Sequence, residues 1–124
     1  MVTAEALSIS DAAELTGLST HTLRYYERAG LMLDAVERAP SSHRRYTDAE
    51  IRWVTLLTRL RATGMPIRRM REYADLVRAG DGNEAERLAL LVAHRDAVLE
   101  QLAGMRRNLE AIEHKIDIYR DCCA

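Results

Sequence analysis

The sequence lacks several features, and each shortage excludes a class of protein. No run of 18 or more apolar residues occurs in its 124 residues, which argues against a membrane-spanning helix. The N-terminus has no basic start followed by an apolar stretch, so no signal peptide is predicted. Because the only two cysteines, Cys122 and Cys123, are adjacent, we expect no structural disulfide framework. Together these shortages predict a cytoplasmic protein.

Lysine is also scarce, since the basic residues are 17 Arg and one Lys. The planar guanidinium suits phosphate groups and guanine edges, although codon bias in a GC-rich genome would produce the same excess. A formal net charge of −1 argues against a generic nucleic-acid binder. The charge is uneven, however: residues 48–80 hold seven Arg against four acidic residues, and residues 81–124 hold six basic against nine acidic residues. A local positive surface is therefore compatible with the near-neutral chain.

Phenylalanine is absent, and two of the five tyrosines stand side by side in the segment STHTLRYYERAGL at 19–31. Ser10 is predicted to cap a first short helix that ends at Gly17. Ser19 or Thr20 is predicted to cap a second helix that ends near Gly30. Two short helices separated by such a turn predict a helix-turn-helix over residues 10–30.

The next segments complete a predicted winged helix-turn-helix domain over residues 1–80. Residues 32–46 break the helical pattern around Pro40 and favour a hairpin, the wing of a winged helix-turn-helix, with a disordered loop as the alternative. The segment TDAE at 47–50 has the pattern of a capping box, and Pro66 suits the start of a further helix. We therefore predict a second helix pair over residues 47–79.

A single long helix is predicted over residues 83–120, capped by Asn83 and followed by a tail at 121–124. Its apolar residues recur in heptads, which is typical of a coiled coil. The ten heptad positions, called the seam below, are Leu88, Leu91, Arg95, Val98, Leu102, Met105, Leu109, Ile112, Ile116 and Tyr119. A lone helix must bury such a seam, so a partner chain, most simply a second copy, is predicted, with packing over the N-terminal domain as the alternative. Arg95 either fixes the register of the seam or extends its charge into solvent.

Three segments, ISDAAELTGLSTHTLRYYERAGL, HRRYTDAEI and LLTRLRATGMPIRRM, followed by a long helix, resemble the MerR family of bacterial transcription regulators. The resemblance runs from about Leu7 to Tyr119. It implies a mainly α fold, in which a winged helix-turn-helix domain precedes a long C-terminal helix that forms an antiparallel dimeric coiled coil. It further implies a homodimer that binds a pseudo-palindromic promoter element in double-stranded DNA. Such a dimer bends and untwists the element and thereby controls how RNA polymerase engages the promoter.

The resemblance also implies DNA-binding roles for the matching positions. Arg24 is the expected base or phosphate contact, and at least one of Tyr25 and Tyr26 is expected to bind a phosphate with its hydroxyl. The wing departs from the family pattern, because Ser42 and His43 stand where Gly and an aromatic residue are common. For each Arg, a solvated surface position is the alternative. The predicted DNA-binding set is Ser19, Thr20, His21, Thr22, Arg24, Tyr25, Tyr26, His43, Arg44, Tyr46, Arg61, Pro66, Arg68 and Arg69.

The sequence also gives expectations about the effector. We expect a short family member without a separate effector domain, similar to members that respond to aldehydes, electrophiles or general stress. Cys122 and Cys123 are the candidate effector residues, with incidental thiols as the alternative. We expect no metal site, because tetrahedral zinc requires four ligands, and no cofactor.

The sequence also bears on two other classes of function. An enzyme is not expected, because the four histidines are scattered and no acid, base or nucleophile is predicted to converge in a pocket. A coiled-coil protein-interaction adaptor with a winged-helix domain is the alternative to a DNA-binding regulator. A steep salt dependence of DNA binding would distinguish the regulator from the adaptor.

Overall fold

The computed structural model of the protein describes residues 7–33, 37–38 and 44–123. These residues are mainly helical, with a long C-terminal helix, as the sequence predicts. The helices are α1 (Ile9–Thr16), α2 (Thr20–Arg28), α3 (Asp48–Ala62), α4 (Ile67–Arg78) and α5 (Glu84–Cys123). The strands are β1 (Leu7–Ser8), β2 (Glu37–Arg38) and β3 (Arg44–Tyr46).

The first helix pair is α1 and α2, joined by a turn in which Gly17 has φ +74°. Left-handed backbone of this kind favours glycine, because a side chain would crowd the following carbonyl. The prediction that Ser10 caps α1 is wrong: Ser8 is the N-cap, and its Oγ accepts the N–H of Asp11 at 3.2 Å. The reason is tertiary, since Ser8 also lies in β1, whose pairing holds it in the extended conformation that an N-cap requires.

The three strands form a small antiparallel sheet in the order β1–β3–β2. Arg38 lies opposite Arg44, and this pairing agrees with the hairpin predicted for the region. The strand β1 is not predicted from the sequence. Its pairing with β3 places Leu7 opposite Tyr46 and so joins the start of the helix-turn-helix to the base of the hairpin. The predicted wing residue His43 lies outside the described residues.

The second helix pair is α3 and α4. The predicted capping box is confirmed: the Thr47 hydroxyl accepts the N–H of Glu50 at 3.2 Å, and the Glu50 carboxylate accepts the N–H of Thr47 at 3.3 Å. Pro66 is the N-cap of α4. The Trp53 indole of α3 stacks on the Tyr73 ring of α4, with centroids 5.6 Å apart. The largest fully buried side chains are Leu23, Leu31, Tyr46, Val54, Leu57, Met65 and Met70.

The last helix, α5, has 40 residues and is ~60 Å long at 1.5 Å per residue. The chain divides into two compact units, Met1–Arg87 and Leu88–Ala124. The first turn of α5 belongs to the first unit, because Arg87 donates to the carbonyl of Gly80. Within the described ranges, no helix is long and apolar enough to cross a membrane.

The prediction that the Asn83 side chain caps α5 is wrong. Its amide group donates to the Leu76 carbonyl at 2.8 Å, and its amide oxygen accepts from Arg87 Nε at 2.6 Å. The backbone carbonyl of Asn83 accepts the first helical N–H groups, those of Glu86 and Arg87. The side chain thus joins the end of α4 to the start of α5, a contact between elements that the local sequence does not reveal.

Candidate nucleic-acid interface

The helix α2 presents one polar face and buries the other. Ser19 caps it, with its Oγ accepting the Thr22 N–H at 3.0 Å and lying 2.9 Å from the Thr22 hydroxyl. Leu23 is completely buried, whereas His21 and Arg24 are exposed. Since residues three and four apart share a helix face, His21 and Arg24 lie side by side on the outer surface. Both residues belong to the predicted DNA-binding set and are accessible on α2.

The adjacent tyrosines of α2 occupy different environments. Tyr25 is 41% exposed, whereas Tyr26 is 4% exposed, and their ring centroids are 6.2 Å apart. Burial raises the pKa of the Tyr26 hydroxyl; the charge of Arg61 acts in the opposite direction, and Tyr25 raises the pKa further. Of the two, Tyr25 therefore has its hydroxyl available to a ligand, and Tyr26 packs in the core.

Tyr46 does not belong to the accessible surface. Its side chain is completely buried, and its hydroxyl donates to the Glu27 carboxylate of α2. The cause is the unpredicted pairing of β3 with β1, which sets Tyr46 opposite Leu7 at the base of the sheet. The expected DNA contact by this ring is therefore wrong, and Tyr46 instead stabilises α2 through its bond to Glu27. Arg44, another residue of the predicted DNA-binding set, is the first residue of β3.

A second accessible cluster lies where α3 ends and α4 begins. The Arg61 side chain is exposed and donates to the Met65 carbonyl at 3.2 Å, which holds its guanidinium beside the turn between the helices. Pro66 caps α4 without a side-chain hydrogen bond. The N-terminus of a helix attracts anions through its free N–H groups and its dipole. The charge of Arg61 also acts on the Tyr26 hydroxyl of α2, whose pKa it lowers.

The two predicted arginines of α4 differ in their surroundings. Arg68 and Arg69 are both exposed in the first turn. Arg69 forms an ion pair with Glu72 at 2.9 Å, three residues along the same helix. An exposed pair of this kind is weak, but it offsets part of the positive charge at Arg69. Arg68 is therefore the better anion ligand of the two.

The seam of α5 is exposed along its whole length. Leu91 and Val98 are partly exposed, and seven apolar seam residues have exposed fractions between 41% and 67%. These seven are Leu88, Leu102, Met105, Leu109, Ile112, Ile116 and Tyr119. The tenth position, Arg95, directs its guanidinium to the Asp96 carboxylate at 3.0 Å. No residue of α5 is buried.

The two cysteines are free and exposed at the end of α5. Among the described residues, no group of three His, Cys, Asp or Glu side chains is arranged to hold a metal ion. Cys122 and Cys123 thus stand as thiols without a third ligand in the described part of this chain.

Sequence reasoning missed the side chains that hold the far end of α2. Arg71 Nε donates to the Ala29 carbonyl at 2.9 Å, and an Arg78 nitrogen donates to the carbonyls of Gly30 at 2.9 Å and Met32 at 2.6 Å. The partners are 42 to 48 residues apart in sequence. The only available signal was the spacing of seven, which places both arginines on one face of α4.

Comparison with known protein families identifies the family to which this chain belongs. The family model described as MerR HTH family regulatory protein matches residues 7–76, which contain the first helix pair, α3 and most of α4. A second model, described as MerR, DNA binding, matches residues 51–115. The chain belongs to the MerR family. It is a DNA-binding transcriptional regulator, as the other members are regulators of transcription rather than enzymes.

Individual MerR proteins agree with this assignment. An uncharacterized HTH-type transcriptional regulator of Haemophilus influenzae is 37% identical over 109 residues, covering 88% of this chain and 80% of the relative. The regulator AdhR of Bacillus subtilis is 34% identical over 94 residues, covering 76% of this chain and 66% of AdhR. Among solved structures, HiNmlR, a MerR family regulator lacking the sensor domain and bound to promoter DNA, has a TM-score of 0.83 at 34% identity. That match covers 94% of this chain and 91% of HiNmlR.

Proposed function

We propose that this MerR regulator binds a pseudo-palindromic promoter element as a homodimer and distorts that element to control the engagement of RNA polymerase. The observation that carries the proposal is the polar face of α2, where His21, Arg24 and Tyr25 are exposed while Leu23 and Tyr26 anchor the helix in the core. A helix held by one face and polar on the other suits insertion into a major groove.

The exposed groups divide into two kinds of contact. Arg24 is positioned for a base edge or a phosphate, and guanine offers two acceptors to a guanidinium. Ser19, Thr20, His21, Thr22 and the Tyr25 hydroxyl supply further donors beside it. Arg61, Pro66 and Arg68 form the anion site at the start of α4, which reads no sequence but fixes the position of the domain on the backbone.

Dimerisation is proposed from the seam of α5. Seven large apolar side chains of the seam are exposed, and burying one fully exposed side chain of this kind contributes on the order of 1.5–3 kcal/mol. A second copy offers a matching seam of the same length. Two identical subunits related by a two-fold axis then require a DNA element with the same symmetry.

Binding to promoter DNA is supported by HiNmlR, which was crystallised in such a complex, and distortion of the promoter is proposed from the two separate DNA-facing clusters of each subunit. Bending a site of 20–30 base pairs costs on the order of 1–6 kcal/mol, so contacts on both sides of the distortion are needed. A response to electrophiles or stress would act through a reactive side chain, and Cys122 and Cys123 are exposed thiols.

The proposal is tested by DNA binding at several salt concentrations. The probe is the duplex that the full chain enriches from a random-sequence pool. Arg24→Ala should weaken binding by roughly 1–3 kcal/mol per half-site, and Arg61→Ala should lower the salt slope by about one.

Arg59→Ala is the matched control for these variants. Arg59 is exposed in the same last turn of α3 as Arg61, but it points about 160° away around the helix axis. It should bind like the wild type. Binding of the wild type that does not depend on salt, or an Arg24→Ala variant within a few tenths of a kcal/mol of the control, would refute the DNA-binding face.

A further inference from the structure

The four residues that follow α2 are held in an unusual way. The carbonyl oxygens of Ala29, Gly30, Leu31 and Met32 each accept a hydrogen bond from a side chain of α3 or α4. Arg71 donates to the Ala29 carbonyl, and Arg78 donates to those of Gly30 and Met32. The indole Nε1 of Trp53 donates to the Leu31 carbonyl at 2.7 Å. We call residues 29–32 the carbonyl segment. It connects the end of α2 to the chain that leads into the hairpin.

Two of the three donors are held by further contacts of their own. Trp53 is buried and stacks on Tyr73 at an interplanar angle of 15°. Arg78 forms an ion pair with Asp75 on its own helix. Arg71 lies on the same face of α4 as Arg78, one heptad earlier. The donors therefore present a row of N–H groups whose positions are set by α3 and α4, and the carbonyl segment conforms to that row.

Such bonds orient α2 as well as stabilise it. The last carbonyls of a helix lack partners within the helix and carry partial negative charge. Here the cationic Arg71 supplies the partner at Ala29, which is the C-cap of α2. Because Glu27 of α2 also accepts from Tyr46 of β3, the last turn of α2 is bound from two sides, and its angle to α4 is fixed.

We propose that Arg71 and Arg78 are positioning residues for DNA recognition. They hold the exposed face of α2 at a set angle to the anion site at the start of α4, so that both clusters meet the duplex together. The inference rests on the proposed function, because it takes these two clusters as the DNA contacts. Arg71 and Arg78 themselves touch backbone carbonyls of the protein rather than DNA.

A positioning residue and a phosphate ligand differ in their salt dependence. Removing a phosphate ligand lowers both the affinity and the slope of log K against log salt, because fewer counterions are released. Removing a positioning residue lowers the fraction of protein whose α2 is correctly oriented, and the apparent Kd rises by the inverse of that fraction. The number of phosphate contacts in the complex is then unchanged, and so is the salt slope.

The experiment measures Kd for the selected duplex, in several salt concentrations, for wild type, Arg71→Ala, Arg71→Lys, Arg78→Lys and Arg59→Ala. Arg71→Ala should weaken binding roughly tenfold, which corresponds to a competent fraction of about one tenth, with the wild-type salt slope. Arg71→Lys keeps one donor and should restore most of the affinity. Arg78→Lys has a single nitrogen, which cannot bind both carbonyls and Asp75 as the two guanidinium nitrogens of Arg78 do, and it should weaken binding in the same way as Arg71→Ala.

Circular dichroism at the temperature of the binding assay separates positioning from folding. The variants should keep the wild-type helix content at that temperature while their affinity for DNA falls. If Arg78→Lys loses helix content, the comparison of Arg71→Ala with Arg71→Lys alone tests the inference. Affinities within twofold of the control for both Arg71→Ala and Arg78→Lys would overturn the inference. A salt slope lowered by about one would also overturn it, by making these residues phosphate ligands. Failure of the proposed function would instead appear in wild type and Arg24→Ala.

Discussion

At the scale of single residues, the Tyr25–Tyr26 pair shows what a sequence can specify. Neighbours on a helix point about 100° apart, so the sequence alone predicts that the two hydroxyls have different environments. Which ring is buried depends on the packing of α2 in the folded domain, where Tyr26 is 4% exposed and Tyr25 41%. The same dependence explains the error at Tyr46, whose burial follows from pairing with a strand 39 positions earlier.

The raised pKa of Tyr26 predicts an alkaline loss of stability. A group whose pKa is raised on folding contributes stability that is present below its unfolded value, 10.0, and is lost as the pH rises through the folded value. The wild-type unfolding temperature should therefore fall as the pH rises above about 10, and the fall should be smaller in Tyr26→Phe, which cannot ionise. Thermal unfolding by circular dichroism across this range provides the measurement. Equal falls in both proteins would contradict it.

At the scale of elements, local signals were reliable where the contact partners are close in sequence. The capping box of α3 joins residues three apart and was predicted from TDAE alone. The start of α1 was misplaced by two residues, because the pairing of Ser8 with Arg45 across the sheet decides it. The carbonyl segment was missed for the same reason, since its donors lie in α3 and α4. The helices and the hairpin were therefore predictable, and the contacts that orient them were not.

The capping box gives a prediction for α3. Thr47→Ala removes the acceptor for the Glu50 N–H and the hydroxyl that donates to Glu50 Oε1 at 2.9 Å. We expect a loss of about 1 kcal/mol, or about 4–8 °C in unfolding temperature for a domain of this size. Thr47→Ser keeps the hydroxyl and should stay near the wild type in the same melting experiment. A Thr47→Ala variant as stable as Thr47→Ser would show that the box contributes nothing.

At the scale of the whole molecule, the proposed dimer has a definite register. An antiparallel pair of α5 helices that uses all ten seam positions has its centre between Ala103 and Gly104. Arg95 of one subunit then faces Ile112 of the partner subunit, next to the carboxylate of Glu113. A charge in the seam thus meets an opposite charge, which a parallel pair would replace with two facing Arg95 side chains.

Disulfide cross-linking tests this register. In a Cys122→Ser, Cys123→Ser background, Arg95→Cys and Ile112→Cys are refolded separately and as an equimolar mixture, then oxidised. Only the mixture should give a cross-linked dimer on a non-reducing gel, because the two positions face each other in the antiparallel pair. Ile116→Cys alone should remain a monomer on the gel, since its two copies would lie ~37 Å apart at 1.5 Å per residue. Cross-linking of the single variants would establish the parallel pair instead.

The carbonyl segment also bears on how this chain can change in length. Connections between helices usually accept insertions, because their backbone groups are bound to water. At residues 29–32 four successive carbonyls meet four separate hydrogen bonds. One inserted residue would shift every carbonyl past its donor, so all four bonds would be lost in a single step. The connection after α2 is therefore a place where a change of even one residue in length is not tolerated, and the buried side chains of Leu31 and Met32 restrict its substitutions as well.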